Sequence, residues 1–297
     1  MLELNQGTTS APDVAENTLQ EQYFGHEHVT RIVPAHGWRA LDLRELWAYR
    51  ELLVVLTMRD IKVRYKQTML GAAWAILQPF MAMVVFTIFF GHLANMPSDG
   101  YPYPIFVYSA LLPWTFFTNA ITSSSNSLVG SAHLISKVYF PRLIIPLSAI
   151  GVGIVDFAIA SGILLAMMLF YGVGWSLNLL MVPLLLLAIG FIALGAGTCL
   201  SALTVAYRDF RYVVPFMVQI WMFVTPVVYP ASLVPTQWRW LLYLNPMSGL
   251  VEGFRAVFLG KAFDLFGLAV SAAVAICLFV AGVAYFGRVE RRFADII

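Results

Sequence analysis

Apolar residues dominate six stretches of the chain, and each stretch is close to the length of a membrane-spanning helix. The hydrocarbon core of a bilayer is about 30 Å thick, which about 20 helical residues cross. Backbone polar groups find no water partners in lipid, so such stretches are expected to be helical. The predicted spans cover about residues 70–90, 103–121, 143–171, 179–205, 213–229 and 265–286. The sequence therefore predicts an all-α, polytopic membrane protein with six transmembrane helices.

A segment of different character precedes the first span. Within residues 41–66, apolar and aromatic positions recur at three- and four-residue steps, and the basic residues lie largely off that stripe. This pattern is typical of an amphipathic helix that lies in the membrane interface, with Trp and Tyr at headgroup depth. An ordinary basic flank of the first span is the alternative.

The gap between the fifth and sixth spans, residues 231–264, is long and still rich in Trp, Leu and Phe. It is broken at Asn245-Pro246. Two helical pieces of about ten residues each are too short to cross the bilayer, so they are predicted to enter the outer leaflet and return as re-entrant half-helices. A surface loop folded over its own apolar face is the alternative.

Composition and charge agree with a membrane protein, since 60% of the residues are hydrophobic and 11% are charged. Fifteen of the 18 Lys and Arg residues lie on one side of the predicted spans, together with both termini. The excess of basic residues predicts that this side is cytoplasmic. The formal net charge of +2 gives no reason to expect a nucleic-acid partner.

Residues 1–37 are polar and lack the apolar core of a secretory signal. They are interpreted as a flexible cytoplasmic extension. Residues 38–297 are expected to form the membrane domain.

Motifs for catalysis are absent from the sequence. It contains no GxxxxGK[ST] phosphate loop, no HExxH, no GxSxG and no cluster of Cys and His. A membrane-bound glycosyltransferase would be expected to carry several acidic residues together on a cytoplasmic loop, and none of the loops does so. Catalysis, a cofactor and a metal site are therefore not expected in this chain.

Polar groups inside apolar stretches are candidates for function, because charges are costly in lipid. Asp156 is the acidic residue of the spans, and either a coupling or channel role or a packing contact explains it. Glu252 and Arg255 are three positions apart and can pair on one helix face, as a structural element or as a substrate contact. Aromatic residues could line a sugar conduit or belong to the core and the interfacial belt; the candidates are Trp114, Phe117, Trp221, Phe223 and Tyr229.

Four stretches of the chain resemble the permease subunits of ATP-binding-cassette (ABC-2 type) exporters of polysaccharides, which include O-antigen, capsule and teichoic-acid exporters. The stretches are RDIKVRYKQTMLGAAWAILQP at 59–79, LISKVYFPR at 134–142, YRDFRYVVPFMVQIWMFVTPVVYP at 207–230 and LNPMSGLVEGFR at 244–255. The resemblance covers most of the chain from about residue 41 onward. It implies a homodimer that works with two copies of a separate nucleotide-binding ATPase subunit, which would bind Mg-ATP.

The resemblance also implies that the segment around 134–142 and the interfacial helix around 59–66 contact the ATPase. The segment around 134–142 is expected to couple to the ATPase, through Leu134, Ile135, Lys137, Tyr139, Phe140 and Arg142. The basic end of the interfacial helix is expected to receive the diphosphate of an undecaprenyl-type lipid carrier, through Arg59, Lys62, Arg64 and Lys66. Binding of anionic phospholipid heads or a purely topological role is the alternative for each of these four.

The resulting hypothesis is a permease that exports a lipid-linked, O-antigen-like polysaccharide across the bacterial cytoplasmic (inner) membrane, as in lipopolysaccharide biosynthesis. Capsule or teichoic-acid polymers and drugs are alternative substrates. An ion-coupled lipid-glycan flippase is the alternative mechanism.

Overall fold

Helices joined by short connections make up the part of the chain that the structure describes, and no strand occurs in that part. This computed structural model describes residues 43–66 and 71–290, all of which lie in one unit, Trp38–Ile297. The predicted extension 1–37, the start of the first predicted span and the last seven residues lie outside the described residues.

The helices follow the predicted apolar pattern closely. Helices α1 to α5 are Leu43–Ala48, Arg50–Lys66, Ala73–Leu93, Tyr103–Gly130 and the single turn Ala132–Ile135. Helices α6 to α8 are Ile144–Phe170, Leu177–Ala206 and Phe210–Val224, and helices α9 to α11 are Arg239–Leu244, Pro246–Leu259 and Leu265–Val289.

Five of these helices, α3, α4, α6, α7 and α11, are long and apolar enough to cross a membrane. The fifth predicted span corresponds to α8, which has 15 residues and contains Pro215. That length falls short of the roughly 17 residues that a spanning helix needs. The structure therefore confirms a polytopic helical protein, whereas the predicted count of six spans is not confirmed.

The polar residues 122–130 extend α4 instead of forming a loop, so the expected end of this helix at residue 121 is wrong. Three of their side chains bond to carbonyl oxygens one turn back within the helix. Ser125 Oγ donates to Thr122 O at 2.9 Å, Ser127 Oγ to Ser124 O at 2.7 Å and Asn126 Nδ2 to Thr122 O at 3.0 Å. Because these hydroxyls are satisfied locally, the helix stays buried where a hydropathy pattern predicts solvent.

Helix α4 forms the centre of the bundle. In its most apolar window 78% of the residues are buried, and it packs against α6, α7 and α10. Helix α7 in turn packs closely on α11, because Gly195 and Gly282 face each other. A Cβ atom on Gly282 would overlap the carbonyl oxygen of Gly195. Small residues of this kind allow helix backbones to approach closely in membrane proteins.

The short helices differ in detail from the prediction. The predicted coupling segment 134–142 is helical only up to Ile135 and continues as turns. The two pieces of the region 231–264 have six and 14 residues instead of about ten each. The predicted break is confirmed, because Asn245 caps α10 by accepting a bond from Met247 N, and Pro246 begins the helix.

Candidate functional site

Three side chains from α2 and α6 form a polar contact that we call the interfacial cluster: Arg64, Tyr65 and Asp156. Arg64 Nη2 lies 2.8 Å from Asp156 Oδ2, and the Tyr65 hydroxyl donates to Asp156 Oδ1. Asp156 is 7% exposed. Burial, and then the hydrogen bond to Asp156, raise the pKa of Tyr65 to about 12, so this hydroxyl remains a donor at neutral pH. The cluster joins the C-terminal end of α2 to α6.

The other basic residues of α2 stay near the surface. Arg59 forms an ion pair with its neighbour Asp60 at 2.8 Å, and its side chain is 49% exposed. Lys62 and Lys66 are exposed. Two of the four predicted basic residues, Arg59 and Arg64, therefore have a carboxylate partner within the chain. Elsewhere along this contact, Leu56 of α2 is buried in an apolar cluster with Ile144, and the Thr57 side chain lies against Gly151 of α6.

The predicted coupling segment 134–142 presents two kinds of side chain. Ile135 and Phe140 are buried in a small apolar cluster with Leu56 and Phe286. Lys137 and Tyr139 are exposed, Tyr139 at 59%. Leu134 is half-buried and packs against the same cluster. The segment is therefore anchored by two apolar side chains and offers the residues between them to solvent or to a partner.

Arg142 connects the coupling segment to the end of α11. Its guanidinium donates to the carbonyl oxygen of Glu290, and its backbone N–H donates to Glu290 Oε1 at 3.3 Å. Burial raises the pKa of Glu290, and the bond and charge of Arg142 oppose that shift. Burial and the neighbouring Glu45 also raise the pKa of Tyr139. The segment thus contacts both α1 and α11.

A second charged group lies at the opposite end of α11, around Arg255. Its side chain is fully buried and pairs with Glu252 at 2.7 Å. Arg255 Nη2 donates to Val227 O at 2.6 Å, and the guanidinium lies 3.8 Å from the centre of the Phe106 ring. The predicted pair of Glu252 and Arg255 is confirmed, but its burial makes it a connection between α10, α4 and the chain after α8.

The same end of the bundle carries a link to the turn between α3 and α4. Lys261 Nζ donates to Asp99 Oδ2 at 2.6 Å, and Ser232 Oγ donates to Asp99 Oδ1 at 2.8 Å. Partial burial acts to raise the pKa of Asp99, but the bonds from Lys261 and Ser232 outweigh it and the pKa is lowered. These bonds therefore join the α3–α4 connection to the α8–α9 and α10–α11 connections.

The candidate aromatic residues are mostly packed within the chain. Trp114 and Phe117 are buried, and Phe117 meets the ring of Trp221 edge-on with centroids 5.2 Å apart. Trp221 Nε1 donates to Asn245 Oδ1 at 2.9 Å. Tyr229 is half-buried, whereas Phe223 is 52% exposed on the outer face of α8. A conduit role for these residues stays a prediction, and within one chain most of them act in packing.

The pairings of these residues carry no signal in the sequence, although Asp156 and Arg142 are candidates on their own. Tyr65 and Asp156 are 91 positions apart, and Arg142 and Glu290 are 148 apart. Asn245 joins Trp221 to Thr225, because its Nδ2 donates to Thr225 Oγ1 at 2.9 Å. Only the Asn-Pro pair at a helix start gives a local indication of such a role.

Comparison with known proteins identifies related chains. The family model described as ABC-2 type transporter matches residues 51–259. The chain is 29% identical over 260 residues to an O-antigen export system permease protein RfbA of Myxococcus xanthus, covering 86% of this chain and 98% of the relative. A protein of the same name from Klebsiella pneumoniae is 27% identical over 248 residues, covering 83% and 95%. Polysialic acid transport protein KpsM of Escherichia coli is 23% identical over 203 residues, covering 66% and 77%.

Proposed function

Because this chain belongs to the ABC-2 type transporter family, we propose that it is the membrane permease subunit of an ATP-driven exporter of lipid-linked, O-antigen-like polysaccharide. The observation that carries the proposal is the match to relatives named O-antigen export permeases over 95% and 98% of their own length. Five apolar helices of spanning length make the chain a multi-pass membrane protein. The distribution of basic residues supports a cytoplasmic-membrane location with both termini in the cytoplasm.

The polymer is an O-antigen-like glycan in this proposal, and a capsule-type polymer is the second candidate. The similarity to a polysialic acid transport protein favours that second candidate. It covers 66% of this chain, against 86% for a relative named for O-antigen export. Because the similarity to the O-antigen export relative covers more of the chain, the O-antigen-like glycan is the first candidate and the capsule-type polymer the second.

The energy source is a separate ATPase subunit, two copies of which bind Mg-ATP. In support, the sequence has no phosphate loop of its own. The exposed Lys137 and Tyr139 offer the docking surface, and the buried Ile135 and Phe140 anchor it to the bundle. Movement of the ATPase would be transmitted to α11 through Arg142. Such coupling requires that ATP bind with different affinity to two states of the complex.

The lipid carrier approaches at the interfacial helix. Arg59, Lys62, Arg64 and Lys66 place four cations close together on α2, where a diphosphate at headgroup depth would be attracted. Arg64 already pairs with Asp156 at 2.8 Å, so it would have to share or exchange that partner. Arg59 likewise pairs with Asp60 at 2.8 Å, so Lys62 and Lys66 are the first contacts of the diphosphate in this proposal.

The path for the glycan lies between two copies of the chain. A cavity beside Arg64 and Asp156 is about 20 Å³, which holds about one water molecule and no sugar ring. Helices α3 and α8 instead expose wide apolar faces. Only 11% of the most apolar window of α3 is buried, and Phe216 and Phe223 on α8 are more than half exposed. These faces suit a homodimer contact.

Transport into inverted membrane vesicles tests the proposal. Vesicles that contain this chain, the ATPase and a lipid-linked glycan are expected to take up glycan when ATP is added, and an ionophore that collapses ion gradients should not reduce the uptake. Uptake that stops with the ionophore and does not need ATP hydrolysis would identify an ion-coupled flippase instead.

A further inference from the structure

A cavity of about 220 Å³ lies beside α9 and α10, at the end of α11 opposite Glu290. None of the roles described above uses it. It is bordered by the apolar side chain of Leu242 and by polar side chains from four parts of the chain. The polar side chains are Ser232, Arg239, Tyr243, Ser248, Glu252 and Asp264.

Ser248 is the side chain of this cavity that lacks a partner. It is 4% exposed, and its hydroxyl has no hydrogen-bond partner among the described residues. A buried hydroxyl without a partner is unfavourable, and most such groups in proteins are bonded to protein, water or ligand. The cavity beside Ser248 is large enough for a ligand that would supply the missing bond.

The charges around the cavity select the kind of ligand. Glu252 and Asp264 disfavour an anion, and Arg239 at the same cavity disfavours a cation. The described residues also contain no group of three or more His, Cys, Asp or Glu side chains that could hold a metal ion. A neutral ligand is therefore favoured on electrostatic grounds.

The lining offers both donors and acceptors of hydrogen bonds. The bonds of Glu252 in the described structure all use Oε1, which leaves Oε2 as an acceptor. Arg239 uses Nε to bond Val234 O at 3.4 Å, which leaves its terminal nitrogens available as donors. Serine and tyrosine hydroxyls can either donate or accept a hydrogen bond. A ligand whose own hydroxyls both donate and accept matches this set.

We propose that the cavity binds one sugar ring of the exported glycan. Its volume suits a single ring with several hydroxyl groups. The ring of Tyr243, held edge-on by Phe266 with centroids 5.1 Å apart, provides an apolar wall for the C–H face of a sugar. This inference rests on the proposed function and adds to it a binding site on the exit side of the permease.

Saturation-transfer NMR on the permease–ATPase complex tests the site, with glucose, galactose, mannose and N-acetylglucosamine as probes. The complex is embedded in phosphatidylcholine nanodiscs, whose headgroups carry no sugar or glycerol hydroxyls that could compete. At least one of the four sugars is expected to give a transfer signal. L242W should fill the cavity and abolish that signal.

Two further variants control the experiment. L241W places the same bulk at the neighbouring position of α9, where the side chain is 44% exposed and does not border the cavity, and should keep the signal. S248A removes the unpartnered hydroxyl with little change of volume and should weaken binding about fivefold, as expected for one lost hydrogen bond. Absence of a signal with all four sugars, or a signal that L242W leaves intact, would overturn the site.

Glycan uptake by vesicles that carry the same proteins separates this inference from the proposed function. If the wild-type complex takes up glycan with ATP but no sugar binds the cavity, only the site is wrong. If glycan is not taken up, the proposed function is wrong, whatever the sugars do in the NMR experiment.

Discussion

Replacing Arg255 by Met should destabilise the protein strongly, because this guanidinium is fully buried and has several partners. It pairs with Glu252 at 2.7 Å, donates to Val227 O at 2.6 Å and lies 3.8 Å from the centre of the Phe106 ring. Removing one member of a buried ion pair costs about 3–5 kcal/mol, since the other charge is left without compensation. The Glu252 side chain is 22% exposed and keeps some water, so the lower end, about 3 kcal/mol, applies.

Substitution of the other member of the pair, E252Q, should destabilise the protein less than R255M. The Gln oxygen still accepts from Arg255, and the guanidinium keeps the carbonyl oxygens of Val227 and Tyr229. We expect a loss of about 1.5–2 kcal/mol, at the lower end of the range for a hydrogen bond to a charged group. The double variant should cost less than the two single losses added together, because the charge that R255M leaves unpaired is then absent.

Unfolding by SDS in mixed micelles measures these free energies of unfolding. The expected order of stability is wild type, then E252Q, then R255M. If R255M unfolds within 1 kcal/mol of the wild type, or if the two substitutions are additive, the buried pair does not stabilise this end of the bundle as argued.

Three further predictions concern other contacts. D156N and R64Q should each weaken the contact between α2 and α6 by about 1 kcal/mol, because the Arg64 side chain is 40% exposed and its charge is partly screened. Faster amide hydrogen exchange in α2 would report this weakening. Tyr139→Ala should lower stimulation of the ATPase without loss of folding, whereas Phe140→Ala should lose about 3 kcal/mol of stability, as measured by ATPase assay and SDS unfolding. Gly282→Ala should cost about 1–3 kcal/mol by the same unfolding assay, because α7 and α11 must separate.

Matched controls are available for these variants. R59Q removes a cation whose partner is its sequence neighbour Asp60, so exchange in α2 should change little. Gly162→Ala adds a methyl group with no heavy atom within 4 Å and should be nearly neutral. Equal effects of R59Q and R64Q, of the two aromatic variants, or of the two glycine variants would contradict the corresponding explanation.

The long apolar helices could be predicted from hydropathy because their lipid-facing surfaces tolerate little else. Helix α6 shows this well, because the predicted span of residues 143–171 differs by one residue at each end from the observed helix, Ile144–Phe170. The error at residues 122–130 has a local cause, namely Ser and Asn side chains that bond within the helix and so allow polar residues to be buried. Hydropathy counts such residues as exposed.

The candidate site could be predicted only in part. The pair Glu252–Arg255 follows from helical spacing, but its burial depends on Phe106 and on the chain after α8, which are distant in sequence. The partners of Asp156 are likewise on a helix that precedes it by about 90 residues, as the bond from Tyr65 shows. Tertiary contacts of this kind have no local periodicity, so a single sequence does not reveal them.

Reconstitution in proteoliposomes tests the central claim most directly, that this chain is the membrane half of an ATP-driven glycan exporter. Lipid-linked glycan is added to liposomes that hold this chain alone, the ATPase alone or both, and its translocation is followed with and without Mg-ATP. The account predicts translocation only with both subunits and Mg-ATP. Translocation or ATP hydrolysis by this chain alone would contradict it.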